Sequence, residues 1–97
     1  MIFAEMKYSE DYWDFHDELV AYLKENFHEI QQGHQCDSWI WITDGNEKVA
    51  VDTFTSMKHQ IKSAHDGALV QNVMATLSAK YPLIVYATPG LEAHEEQ

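Results

Sequence analysis

The side chains able to hold a metal or move protons are six histidines, one cysteine and sixteen carboxylates in 97 residues. The densest mixture is His28, His34, Cys36 and Asp37, whose imidazole, thiolate and carboxylate donors suit zinc if the segment folds back on itself. Their spacing matches no zinc signature, so these residues and His94 near the C-terminus stand only as metal candidates, and no metal or cofactor is expected. His59 and His65 could act as general bases with Asp52 or Asp66 orienting them, but nothing in their spacing imposes a reaction geometry. His16 lies on the apolar stripe of a helical segment, where an imidazole bonded to one neighbour is the simplest role. Cys36 has no His and Asn/Asp signature around it, and no Gly-x-Ser-x-Gly elbow occurs. Gly33, Gly45, Gly67 and Gly90 are too scattered to form a phosphate loop. The chain is read as a binding protein rather than an enzyme.

Charge says more than motif. Sixteen acids stand against six Lys and no Arg, for a formal net charge of −10, and only residues 57–88 are net positive. Recognition of a nucleic-acid backbone needs clustered cations and profits from the guanidinium fork, so nucleic acid is excluded as a partner. A basic protein is the electrostatic counterpart, because a field of one sign steers and speeds its encounter. The residues expected to meet it are Asp11, Asp14, Glu18 and Tyr22 on the first helix, Trp39 and Trp41 on a strand, and Glu92 and Glu95 in the acidic tail. Trp39 and Trp41 lie two apart and so share one strand face, and an aromatic anchor ringed by charge is what protein interfaces favour.

In composition, the absent Arg and the aromatics interleaved with carboxylates together resemble in broad character the immunity proteins and nucleic-acid mimics of bacteria and phages. That resemblance implies inhibition or regulation of a basic protein, such as a nuclease whose active site the carboxylates would block. The alternative is a homo-oligomeric module, a homodimer for instance, pairing an open sheet face; a small His-dependent or metal-dependent enzyme ranks third. The lone Cys36 rules out an internal disulfide and fits a reducing compartment, the cytoplasm. No basic leader with a long apolar stretch is visible, and no uncharged run approaches a membrane span.

These side chains must be positioned by an aromatic-rich chain with 45% hydrophobic residues, enough to fold as one domain over residues 1–90, with 91–97 as a tail. Residues 2–8 alternate as a strand. Ser9 is the expected cap of a long helix with Trp13, His16, Val20, Leu23, Phe27 and Ile30 on its inner stripe and Tyr12, Phe15, Leu19 and Tyr22 beside it. Residues 31–35 read as a polar linker. Residues 38–43 and 49–54 form a hairpin across Asp44-Gly45-Asn46-Glu47. Residues 57–62 are an optional strand with Lys58, Gln60 and Lys62 on the wet face. Asp66 is the expected cap of a second helix carrying Leu69, Val73, Met74, Leu77 and Tyr81, which Pro82 ends. The apolar run 83–87 reads as a central strand. The prediction is an α+β two-layer sandwich, two helices on one face of a mainly antiparallel sheet of four to five strands in the order β-α-β-β-(β)-α-β, ferredoxin-like if the extra strand is absent.

Overall fold

The computed structural model describes residues 1–91. Its elements are β1 (Ile2–Met6), α1 (Tyr12–Asn26), β2 (Glu29–His34), β3 (Ser38–Asp44), β4 (Glu47–Asp52), β5 (Gln60–Ser63), α2 (Ala68–Ser78) and β6 (Leu83–Gly90). The expected α+β architecture is present, but the sheet has six strands, in the order β2-β3-β4-β5-β1-β6. Every neighbouring pair is antiparallel, whereas the ferredoxin-like alternative requires parallel pairing at its centre; that alternative does not hold.

The additional strand is β2, which takes up most of the segment 31–35 expected to be a linker together with Ile30, expected on the first helix, which ends at Asn26. Its six residues pair with β3 from Glu29↔Thr43 to His34↔Ser38. A polar segment can serve here because β2 is an edge strand, so half of its backbone hydrogen bonds are satisfied by β3 and its outward side chains are wet. The β3–β4 hairpin turns through Gly45 and Asn46 between paired Asp44 and Glu47. Gly45 has φ of 60° and Asn46 does not have positive φ, which is the type II′ arrangement that twists with its strands.

Helix α1 is capped by Asp11 rather than Ser9: the Asp11 carboxylate accepts the Trp13 backbone N–H at 2.8 Å. The helix ends at Asn26, whose side-chain amide donates to the Tyr22 carbonyl at 2.9 Å, while the Phe27 N–H closes the last turn on the Leu23 carbonyl. Its buried residues are Phe15, His16, Leu19, Val20 and Leu23. The second apolar stripe therefore supplies Phe15 and Leu19 to the core, while Trp13 from the first stripe stands outside. Helix α2 is capped at Gly67 without a side-chain bond, and its Leu69 N–H is instead taken by Glu47 Oε1 from β4 at 3.1 Å. Asp66, the expected cap, accepts from the Gln71 side chain at 2.7 Å.

Both helices lie on one sheet face. Ile40, Ile42, Val49, Val51 and Ile61 point toward them and are fully buried, packed with Leu19, Leu23, Val73 and Leu77 in one cluster. Burying each such side chain contributes about 1.5–3 kcal/mol. Tyr22 joins the helices through its hydroxyl, which donates to the Thr76 carbonyl at 2.7 Å, and it meets edge-on the ring of Tyr81, which was expected on α2 but lies past its end at Ser78.

The opposite face is not the wet lysine surface expected. Gln60 and Lys62 are buried on it, and Lys62 Nζ pairs with Asp52 Oδ1 at 2.7 Å with both side chains about as buried as the core. Trp39 and Trp41 lie alongside, their rings 4.5 Å apart, with the Lys48 ammonium 3.8 Å over Trp41. Gly33, paired with Trp39 across the edge, is where the indole packs: a Cβ there would overlap the Trp39 ring. Gly33→Ala is expected to displace Trp39 and to destabilise by about 1–3 kcal/mol through overpacking, read as a changed near-ultraviolet dichroism and a lower urea midpoint.

The run 83–87 is an edge strand rather than a central one. β6 pairs only with β1 among the described strands, leaving Ile84 and Val85 about half exposed. No described helix is long and apolar enough to cross a membrane.

Candidate functional site

The topology gathers polar side chains from four separate segments beneath α1. His16 projects from α1 into the sheet, Ser38 opens β3, His59 precedes β5, and Tyr8 follows β1. The Ser38 hydroxyl bridges the two imidazoles, 2.5 Å from His16 Nδ1 and 2.6 Å from His59 Nε2. Tyr8 Oη lies 2.7 Å from His59 Nδ1, and His16 Nε2 lies 2.7 Å from Gln32 Oε1. His16, Ser38 and His59 are sealed from solvent.

Donor and acceptor roles follow from one end. Gln32 presents a carbonyl oxygen to His16 Nε2, so that nitrogen carries the proton and Nδ1 of the neutral ring is an acceptor. Ser38 then donates to His16 and accepts from His59 Nε2–H, which leaves His59 Nδ1 to accept the Tyr8 hydroxyl. Tyr8 oxygen in turn accepts the His59 backbone N–H at 3.2 Å. Each member of the chain is satisfied with a single polarity, Tyr8 to His59 to Ser38 to His16 to Gln32, which is the condition for burying polar groups in a core. The Ser38 backbone is fixed as well, its N–H donating to Thr53 Oγ1 at 3.1 Å and its carbonyl accepting from the Thr53 N–H at 3.0 Å.

Burial sets the protonation of this network. Desolvation, with smaller repulsion from His16 and His34, pushes His59 down to about 3, so it is a neutral imidazole at physiological pH. Desolvation pushes the Tyr8 phenol up to about 12. A serine flanked by two imidazoles has the parts of an acyl-transfer site, but a hydroxyl this enclosed does not meet a substrate in this conformation.

At the outer margin His34, on β2, is sandwiched between two rings: His16 at 4.3 Å and 21°, and Trp13 at 3.8 Å and 48°. Desolvation and the neighbouring His16 lower the affinity of His34 for a proton. Its Nε2 is buried with no hydrogen-bond partner among the described residues. His16, Asp17 and His34 offer ligand atoms that all lie within 4.8 Å of one another.

The sequence candidates fall in several places. Asp11 is the α1 cap. Asp14 is exposed on the first turn of α1, and Glu18, also exposed, accepts the Tyr81 hydroxyl at 2.9 Å. Tyr22 is tied to α2, and Trp39 and Trp41 occupy the face away from the helices, so the α1 residues and the tryptophans do not form one surface. Glu92, Glu95 and His94 lie outside the described residues. His28 and His34 flank opposite ends of β2, a span of roughly 20 Å at strand rise, too far to share an ion. Cys36 is exposed in the β2–β3 turn, where the Tyr12 hydroxyl donates to its carbonyl. His65 is exposed ahead of α2, apart from this network. Sequence reasoning passed over Tyr8, Gln32, Ser38 and Asp17. The available signal was polar residues at inward positions, Gln32 and His34 on β2 and Ser38 on β3.

No protein-family model, no curated protein and no solved structure matches this chain.

Proposed function

We propose that the chain is a small acidic binding module that inhibits or regulates a basic protein partner, and that the outward face of α1 makes the contact. The observation that carries this reading is Trp13, 47% exposed on the first turn of α1. Glu10 and Asp11 precede it, and Asp14 and Asp17 follow on the same helix, all exposed. The indole is not loose: its ring is held against His34, so a partner meets a preformed aromatic anchor without ordering it. A rigid tryptophan within a rim of carboxylates combines the anchor that dominates interface energetics with the charge that steers a cationic partner.

Trp39 and Trp41 are assigned to the fold in this reading, since they pack on Gly33, on each other and under Lys48. The same holds for Tyr22 and Glu18, which are bonded to α2 and to Tyr81.

Capture of partners by the immobilised protein in rising salt, followed by binding kinetics on the purified partner, tests the reading. The expected partner is basic, associates more slowly as salt rises, and loses further association rate when Glu10 and Asp14 are both replaced by Lys. A partner indifferent to that reversal, or none at any salt, would contradict it.

A further inference from the structure

We propose that His16, Asp17 and His34 form a binding site for a divalent transition metal ion such as zinc, at the junction of α1 and β2. The proposal stands on the geometry of these residues and does not depend on the partner.

Two imidazoles and one carboxylate are a donor set that zinc accepts, with a fourth position left for water or another ligand. Donors around a tetrahedral zinc at about 2.0–2.1 Å lie roughly 3.3 Å apart. The three ligand atoms here lie within 4.8 Å of one another. The contraction needed is about 1.5 Å at most by that comparison. Asp17 is exposed on α1 and free to change rotamer, and the His16 and His34 rings, stacked at 21°, must also turn so that their nitrogens converge on the ion.

The second observation is the orphaned nitrogen. His34 Nε2 is buried without a partner among the described residues, although buried polar atoms in folded proteins are nearly always bonded. No described group bonds to it, and the ring lies between those of His16 and Trp13. A buried nitrogen without a partner, beside a second imidazole and a carboxylate, is a donor that an ion would satisfy once the ring turns out of its stack.

His16 can join this set at small cost. Its Nε2 is bonded only to the side chain of Gln32, an exposed residue of the edge strand, which can swing away. As a ligand, Nε2 gives up its hydrogen and the neutral ring carries its proton on Nδ1, which then donates to the Ser38 oxygen. The Ser38 hydrogen turns to His59 Nε2, and the His59 proton moves to Nδ1, facing the Tyr8 oxygen. Charge is unchanged on every member, and the polarity of the whole chain reverses. Ser38, His59 and Tyr8 thus become the outer partners that orient a ligating histidine.

The test uses the chelator-stripped full chain titrated with zinc chloride by calorimetry, beside two variants. Asp17→Asn alters an exposed side chain and leaves the core intact; His34→Gln removes the orphaned imidazole. The wild type is expected to bind one zinc ion per chain, with at least about a tenfold loss of affinity in Asp17→Asn and a greater loss in His34→Gln, since even outer-sphere partners are worth about 10–100-fold. Nitrogen NMR of the wild type should show His59 changing from the Nε2–H to the Nδ1–H tautomer on zinc addition. Absence of zinc binding, or binding equally tight in both variants, would overturn the proposal.

Discussion

A Lys62→Met variant is expected to lose about 3–5 kcal/mol of folding free energy, the usual consequence of removing one member of a buried ion pair. Lys62 Nζ sits 2.7 Å from Asp52 Oδ1, and the two side chains are only 5% and 4% exposed. Without the ammonium, the Asp52 carboxylate keeps the Phe54 N–H at 3.3 Å, too little to offset its lost hydration. Domains of this size have about 5–15 kcal/mol in total, so the variant should be largely unfolded at modest urea concentrations. The double variant Lys62→Met/Asp52→Leu removes the stranded charge and should recover most of the loss. Urea unfolding at neutral pH measures both; a single variant within about 1 kcal/mol of wild type would mean the pair is solvated as surface pairs are.

Stability should also fall with acidity from an unusually high pH. His59 is held down to about 3 in the folded protein by desolvation, against its ordinary value of 6.5 when unfolded. Below 6.5 the unfolded chain binds a proton that the folded chain refuses. The stabilisation is therefore complete above that value and is lost as pH falls from about 6.5 toward 3, at about 1.4 kcal/mol per unit once well below the upper limit. His34, lowered by desolvation and by His16, acts in the same direction. Carboxylate protonation alone begins to matter only near pH 4–5, so a decline already evident between pH 6 and 5 marks the histidines. NMR titration should find the His59 ring neutral until the protein unfolds; a folded-state titration near 6.5 would refute the sealed network.

The hairpin of β3 and β4 was legible because aromatic and β-branched enrichment and a glycine turn are local signals, and Ser38, Ile40 and Ile42 all face inward as their spacing requires. β2 was not, for a physical reason: of its inward residues Ile30, Gln32 and His34, only Ile30 is apolar, Gln32 being bonded to His16 and His34 stacked on it. A strand whose core-facing side is polar has no apolar period to detect. Lys62 was misread because a lysine at alternate positions signals a wet face, and the partner that reverses this, Asp52, is supplied by pairing between β4 and β5. β6 shows the converse error: an unbroken apolar run describes a buried strand, but this one lies at the sheet edge with Ile84 and Val85 each about half exposed. The site itself required the fold. His16 and His59 are 43 positions apart, and neither position shows that both imidazoles meet one serine hydroxyl.

The role assigned to the face of α1 is tested most directly by the affinity of the salt-resolved partner for Trp13→Ala beside Trp39→Ala. An interface anchor removed from a well-packed contact costs at least about 2 kcal/mol, or roughly 30-fold in affinity. Trp13→Ala is expected to lose at least that much, with its melting temperature near that of the wild type because the indole is half exposed. Trp39→Ala is expected to bind within about threefold of wild type, below 1 kcal/mol. The reverse pattern, with Trp13 dispensable and Trp39 essential, would move the interface to the open sheet face and contradict the account.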